Sequence, residues 1–600
     1  MEWDNSARRD NNWVTFYNYS LKSFYEWISL SMKRLRENHV ENERLLFINA
    51  WNEWAEGTYL EPDKECGYSN INTLSKALYE LPLKDEPIIF NNNSYIKDDM
   101  DFRIAIQVHI FYIETIDDIV FELQKINFNF DCFISTSAEY KVNIIKEKFS
   151  NLKNCTKLII DVYPNKGRDV FPFISQLKMI VSNNYKYCCH IHSKRTSKSS
   201  YGDYWRRYLF NHLFGSNNNV VNIIKYFENN QDIGLLFPET YPVLLKQSEW
   251  GGNKEGCQNL ISKLNSEYKL PQIPIFPVGN MFWAKTDAIK GILDLNLDDI
   301  DFPIESGQLN STIAHEIERI WVYIADISGY GYKKIFNSCE EKCIKNEKRI
   351  TFFVHHSVDN IISNDDIYLI EKLHCISDEL VFISNSNLSK IELDKVDRYT
   401  SKKKLRQNKG FDFGAWKDVI EEYGYEELEK FDKLVLANNS VIGPFRDMEN
   451  IFNIMNLKKL DFWGITLFPF QEDGSYISKP YIPEHIQSYF QVFNKEVFTN
   501  AVFKKFWSNV KNYDKLIDVI SECEVELTRL LSSEGFSYDV YITEIREMYK
   551  YLDSGAIPYD YPVELLTLGS PFIKKKSLNE YDFEKINRIK YWVDQLRDFD

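Results

Sequence analysis

At 600 residues the chain has room for three to five domains, at about 100–200 residues per domain. A 44% hydrophobic, 27% charged and 15% aromatic composition excludes wholesale disorder, because disordered chains are poor in aromatic residues. A formal charge of −16 and a pI near 5.3 argue against nucleic acid as a partner, which would need strong local basic patches to overcome that field.

The opening Met1-Glu-Trp-Asp-Asn5 is acidic and lacks the apolar run of a signal peptide. No stretch approaches the roughly 18 apolar residues of a membrane span. The ten cysteines form no CxxC pair, which points to reduced, structural cysteine and a cytoplasmic location.

In chain order, Arg44-Leu-Leu-Phe-Ile-Asn-Ala50 is predicted as a strand, followed by Trp51-Asn-Glu-Trp-Ala-Glu-Gly57 and Leu60-Glu-Pro-Asp63. With Trp3-Asp-Asn-Ser-Ala-Arg-Arg9, this region resembles the carboxyl end of the WbsX-type glycan-synthesis family, which is similar to endo-mannosidase glycoside hydrolases. The resemblance implies that Glu53 and Glu56 are that family's carboxylate pair at a barrel strand end. A whole (β/α)8 barrel takes about 250 residues. Residues 1–85 are therefore expected as a truncated barrel fragment, docking on its neighbour or on a separate chain, with no hydrolysis of its own. Pro82 to Asn93 reads as a linker with a strand-like Ile-Ile-Phe inside it.

An internal repeat follows. Arg103-Ile-Ala-Ile-Gln-Val-His-Ile-Phe111 and Arg349-Ile-Thr-Phe-Phe-Val-His-His356 both read as buried strands ending in Val-His. Each leads to an acidic amphipathic helix (Thr115–Ile126, Asn364–Ile376) and a second strand (Asp131–Ser135, Glu379–Ser384). Asn165-Lys-Gly-Arg-Asp169 and Asn408-Lys-Gly-Phe-Asp412 come next, at nearly the same offset. This order predicts two homologous α/β domains, residues 86–345 and 348–575, each with a mostly parallel sheet covered by helices on both faces. Cys339–Lys348 is a charge-rich join, and the tail from Lys574, including residues 576–600, is predicted as a charged helix.

In open α/β sheets ligands sit beyond the carboxyl ends of the strands, where the strand order switches. Strand Lys157–Tyr163 delivers the first N-K-G-x-D turn to such an end. There Gly167 permits close backbone approach, Asn165 and Asp169 offer hydrogen bonds, and Arg168 suits a phosphate. Tyr185–Arg195 is the next strand, with His190, His192 and Lys194 on one face, a set suited to an anionic diphosphate. The second copy offers Asn408, Gly410 and Asp412, then a strand ending in Asn438-Asn439-Ser440. Each copy adds a strand, Asp232–Pro238 and Asp461–Leu467, and an aromatic one, Gly279–Lys285 and Ser488–Asn494, which are core or sugar-platform candidates. Ala314-His-Glu-Ile-Glu-Arg-Ile-Trp321 is helical; His315 or Glu316 is a general-base candidate, and an ion-pair network with Arg319 reads equally well. Copy two has Glu522, Glu524 and Glu526 in a comparable helix.

These motifs, with Pro172-Phe173, the Trp205 region, Gly443-Pro444 and Phe462-Trp-Gly-Ile-Thr466, resemble the rhamnan synthesis protein F family of bacterial polysaccharide glycosyltransferases. The resemblance implies two tandem GT-A-like domains that use a nucleotide-diphosphate sugar such as dTDP-rhamnose. It also implies a lipid-linked surface-glycan or O-antigen acceptor, work at the inner face of the cytoplasmic membrane, and contact with other polysaccharide-assembly proteins. The expected catalytic residues are His315, Glu316 and His192. The expected nucleotide-sugar residues are Asn165, Gly167, Arg168, Asp169, His190, Lys194, Asn408, Gly410, Asp412, Asn439 and Ser440. Typical GT-A enzymes hold Mg²⁺ or Mn²⁺ on an Asp-x-Asp. His190-Ile-His192 and Asn438-Asn439-Ser440 stand there instead, which leaves metal dependence open. A non-catalytic glycan-binding scaffold built from degenerate transferase domains is the alternative.

Overall fold

The computed structural model describes residues 20–37, 45–62, 68–79, 81–82, 85–90, 103–193, 202–305, 311–338, 347–552, 554–578 and 583–597. The chain divides into two units, Met1–Cys339 with Tyr581–Arg588, and Glu340–Glu580 with Ile589–Asp600.

Unit 1 is built on an eight-stranded sheet. Its strands are β1 (Ile88–Phe90), β2 (Ile104–Ile110), β3 (Phe130–Thr136), β4 (Cys155–Val162), β5 (Tyr187–His192), β6 (Ile233–Pro238), β7 (Phe282–Lys285) and β8 (Gly331–Asn337). They lie in the order β1-β8-β6-β7-β5-β2-β3-β4. Only β7 is antiparallel to its neighbours β5 and β6; the remaining pairings are parallel. β2 and β3 are buried along their whole length, as strands covered on both faces must be.

Unit 2 carries a seven-stranded sheet: β9 (Arg349–His355), β10 (Glu379–Ser384), β11 (Lys402–Leu405), β12 (Lys433–Asn438), β13 (Phe462–Gly464), β14 (Phe490–Asn494) and β15 (Tyr538–Val540). The order is β11-β10-β9-β12-β14-β13-β15, with β14 antiparallel to β12 and β13. Numbered from β2 in one unit and β9 in the other, both sheets run third, second, first, fourth, sixth, fifth, seventh, and both reverse only the sixth strand. β1 is an addition to unit 1. The expected α/β repeat is thus one topology used twice, with the switch in strand order between first and fourth strands.

The repeat extends to a side-chain bond. His109 Nδ1 lies 2.9 Å from Ser135 Oγ, and His355 Nδ1 lies 3.1 Å from Ser384 Oγ. Each His–Ser pair joins register partners on the first and second strands. The core is aromatic: Trp283, Trp321, Trp416, Trp463 and Trp507 are all fully buried, and rings of this size dominate burial energetics.

Around the predicted N-terminal fragment, helices Leu21–Glu37 and Ser69–Leu78 pack through Phe24, Ile28, Leu60 and Ala77. Residues 45–50 are not a strand. The pairing here is instead a short antiparallel hairpin, Asn52–Glu53 with Thr58–Tyr59. A barrel strand needs parallel neighbours on both sides, and none lies beside this segment among the described residues. The Ile-Ile-Phe of the expected linker is β1, paired with β8. Lys574 belongs not to a tail helix but to strand Ile573–Lys574, which pairs with Val441–Ile442.

Candidate functional site

The N-K-G-x-D turn has one conformation in both units. Gly167 and Arg168 have φ of 60° and 54°; Gly410 and Phe411 have 70° and 51°. Two successive left-handed residues reverse the chain sharply, and only the first is glycine. A Cβ on Gly167 would come within 2.4 Å of Phe302 Cδ1. The turn launches helix Val170–Ser182 in unit 1 and Phe411–Tyr423 in unit 2. In each case the aspartate is carried to the mouth of the sheet.

In unit 1 that aspartate meets the end of β5. Asp169 Oδ2 lies 3.2 Å from His190 Nε2 and 3.8 Å from His192 Nε2, and accepts from Asn280 Nδ2 at 2.6 Å. His190 and His192 share a strand face, as alternation requires, with their rings 6.2 Å apart. His190 Nδ1 reaches Gln107 Oε1 at 2.6 Å, and its ring stacks on Phe173 at 4.1 Å. Gln107 Nε2 donates to Gln176 Oε1 and Ser135 Oγ. Trp321 Nε1 fixes Asn280 Oδ1 at 2.8 Å. Burial opposes charge on Asp169, but His192, His190 and Asn280 together hold its carboxyl well below the usual carboxylate range. The same burial lowers His109 to about 3, against the pull of Asp169, so that ring is neutral. A buried network in which every member is satisfied is rigid, and opening any one bond costs about 1–3 kcal/mol.

Other expected residues fall into two groups. His315, buried on helix Ile313–Glu318, is within electrostatic reach of Arg168 and Asp169. Burial, then Arg168 and Arg319, lower it to about 4. Its Nδ1 bonds Thr312 Oγ1 at 2.7 Å, while its buried Nε2 has no hydrogen-bond partner among the described residues. Glu316 does not join it. One helical step on, its carboxylate lies over Gly256, so close that a Cβ there would be 1.9 Å from Oε1. Nor does Glu316 reach Arg319, whose guanidinium donates to the carbonyls of Glu249 and His315. Arg168 points to Glu305 at 3.4 Å. Asn165 and Asn408 are exposed, and the Asn165 carbonyl accepts from the Glu305 amide. Lys194 lies outside the described residues.

In unit 2, Asp412 accepts from Asn438 Nδ2 at 2.8 Å. The sequence pointed to Asn439, but Asn439 turns away and donates to Asp366 and the His356 carbonyl. Ser440 donates to Asn438 Oδ1 from both its amide (3.0 Å) and its hydroxyl (2.7 Å), and Lys574 Nζ lies 3.3 Å from Ser440 Oγ. Burial and then Glu524 push Asp412 up to about 6, with Lys574, Asn438 and Arg406 opposing. Burial lowers Lys574 to about 8, against Glu524 and Asp412.

Asn280, Gln107 and Lys574 were not among the residues expected at the site, and Asn438 stood only within the polar strand end Asn438-Asn439-Ser440. Lys574 lies 162 residues past Asp412, so nothing local marks it. Asn280 carried a weak signal, sitting in the aromatic strand segment that precedes β7.

Glu53 and Glu56 lie on the hairpin and the 3-10 turn Trp54–Glu56 between its strands, where Trp54 stacks on Tyr59 at 3.9 Å and donates to Glu61. They are not at a barrel strand end, because no barrel surrounds them among the described residues. A separate cavity of about 300 Å³ in unit 1 is lined by Asp85, Glu239, Leu245, Phe276, Val278 and Lys334, among others. It lies where β6 and β8 end rather than over Asp169. Among the described residues, no group of three or more His, Cys, Asp or Glu side chains is arranged to hold a metal ion. The Asp169 cluster is bonded inward, and these residues do not fit the cation of an Asp-x-Asp site. No described helix is long and apolar enough to cross a membrane.

The model of the family described as rhamnan synthesis protein F matches residues 70–330 and 380–598. The chain belongs to that family. In this rhamnan synthesis F chain, residues 1–74 also match the model described as glycosyltransferase WbsX. The uncharacterized protein WxcX of Xanthomonas campestris pv. campestris (strain B100) is 27% identical over 326 residues, 53% of this chain and 43% of the relative. The uncharacterized protein y4gN of Sinorhizobium fredii is 26% identical over 157 residues, 26% of this chain and 39% of its own. The chain thus spans under half the length of these relatives. Among solved structures, the apo bifunctional glycosyltransferase WbbM is 12% identical, with 81% of this chain and 99% of WbbM covered at a TM-score of 0.20. A nucleotide-diphospho-sugar transferase from Desulfovibrio desulfuricans is also 12% identical, with 42% and 98% covered at 0.20. The two α/β sheets share one strand order.

Proposed function

We propose that this chain is a glycosyltransferase of bacterial polysaccharide synthesis, taking rhamnose or a related sugar from a nucleotide-diphosphate donor to a lipid-linked glycan. The observation that carries the reading is the duplicated turn that sets an aspartate, buried in unit 1 and half-buried in unit 2, at the switch point of each sheet. Family membership supports the sugar-polymer context. In unit 1, Asp169 and the ends of β5 bind and orient the donor. His192 by hydrogen bonding and Lys194 by its charge stabilise the departing diphosphate, and His315 presents a neutral ring beside Arg168. The cavity by Glu239 and Lys334 offers carboxylates and an apolar wall to acceptor sugar hydroxyls and rings.

The test is the melting temperature of the full chain against a panel of nucleotide sugars, dTDP-rhamnose included, with Mn²⁺ and with EDTA. Ligand at 100 times its Kd stabilises the native state by about 2.7 kcal/mol. A donor-selective rise that is lost in Asp169→Asn is expected. No rise with any donor, on a folded sample, would replace this reading with a non-catalytic glycan-binding scaffold.

A further inference from the structure

Each unit ties a glutamate to the backbone just ahead of its reversed sixth strand. In unit 1, Glu318, the last residue of helix Ile313–Glu318, accepts at Oε1 from the amide of Gly279 at 3.1 Å. The Gly279 carbonyl receives His192 Nε2 at 2.9 Å, and the next residue, Asn280, binds Asp169. Gly279 has φ of 99°, and a Cβ there would touch Trp205 at 2.9 Å, so this peptide is clamped from three sides. In unit 2, Glu524 accepts at Oε1 from the amide of Ser488 at 2.8 Å.

The two amides lie one position apart in the fold, just ahead of the same strand. Gly279 precedes Phe282 by three residues and Ser488 precedes Phe490 by two. Phe282 and Phe490 open the reversed sixth strand, where they pair with His190 and Ala437 of the fourth strand. Glu524 closes a one-turn π-helix, Ile520–Glu524, set ahead of helix Val525–Ser533. Such bulges recur at functional sites. Both glutamates are half-buried, and the second oxygen of each has no hydrogen-bond partner among the described residues. A carboxylate can accept at about four lone-pair positions, so each keeps unused basic capacity. Asp169 Oδ2 already faces His190, His192 and Asn280, and Asp412 Oδ2 accepts from Asn438. The charge of Glu524 falls on Asp412 and Lys574 together, which puts it at the unit 2 site.

We propose that Glu318 and Glu524 are general bases for acceptor hydroxyls, one per unit, so that the chain holds two transfer centres. The inference rests on the glycosyltransferase reading above. In each centre the acceptor O–H gives its proton to the glutamate as its oxygen bonds to the anomeric carbon of the donor sugar. The bond from that carbon to the diphosphate oxygen breaks, and its electron pair leaves with the nucleoside diphosphate.

The experiment uses the full chain and the donors that raise its melting temperature in the panel. Nucleoside diphosphate release is followed with a crude lipid-linked glycan fraction, water being the acceptor where no glycan serves. Glu318→Gln and Glu524→Gln should each keep the donor-induced rise and each remove a separable part of turnover. The double variant should lose about 100-fold or more, the scale of general-base catalysis, while the exposed Glu522→Gln should match the parent. A double variant that keeps more than a tenth of the turnover, or a parent that binds donor without turnover, overturns the inference. Absence of any donor-induced rise in the parent instead overturns the underlying reading.

Discussion

The two units share a strand order, a left-handed turn and a His–Ser bond, yet they set the charge of the central aspartate in opposite directions. Asp169 sits against two imidazoles and an amide and is held ionised. Asp412 sits against one amide, with Glu524 near it and Lys574 as the opposing cation, and is pushed towards its protonated form. A duplicated backbone thus fixes where a carboxylate stands but not its protonation, which is decided by the few side chains that face it.

The contrast extends to the first residue of each first-strand motif. Arg349, buried, makes a bidentate pair with Glu449 at 2.6 and 2.7 Å and lies 3.8 Å over the Phe452 ring. Arg103 has a side chain 53% exposed, 3.8 Å from Asp131. Arg349→Ala should therefore destabilise unit 2 by about 3–5 kcal/mol, because it strands a buried carboxylate. Arg103→Ala should cost unit 1 about 1 kcal/mol or less. Denaturant melts of the two variants check this, and equal losses would break the comparison.

A smaller effect is expected from pH. Asp412 is raised in the folded state, so the fold prefers its proton; stability falls as pH rises from about 4 to about 6. The shift corresponds to at most about 3 kcal/mol, less in proportion to the group's partial exposure. Asp169 is lowered, so its contribution is present above the ordinary aspartate range and is lost as pH falls through and below it. Stability of Asp412→Asn measured from pH 4 to 7 should be flatter than the parent's, and that of Asp169→Asn should not be flattened in this window.

The smallest effect separates the two turns. Gly167→Ala and Gly410→Ala each place a side chain at left-handed φ, costing about 1–2 kcal/mol. Gly167 should lose more, because its Cβ meets the Phe302 ring at 2.4 Å, whereas that of Gly410 meets the Asn512 side-chain oxygen at 2.8 Å. Melting temperatures of the pair test the ranking.

Much of this architecture was legible in the residues. Apolar strands alternating with amphipathic helices specify α/β layers, and helix Asn364–Ile376 and strand Glu379–Ser384 stand where periodicity placed them. Repeated Val-His and N-K-G-x-D landmarks marked the duplication, and alternation placed His190 and His192 on one face. These are local properties, because strand period and turn chemistry act over a few residues. Tertiary structure alone chose Asn438 over Asn439, turned Glu316 onto Gly256, brought Lys574 to Asp412, and replaced an expected barrel strand with a hairpin. Each depends on which distant strands and helices close around a side chain. Burial and facing charge, which set protonation and pairing, arise only when those elements pack.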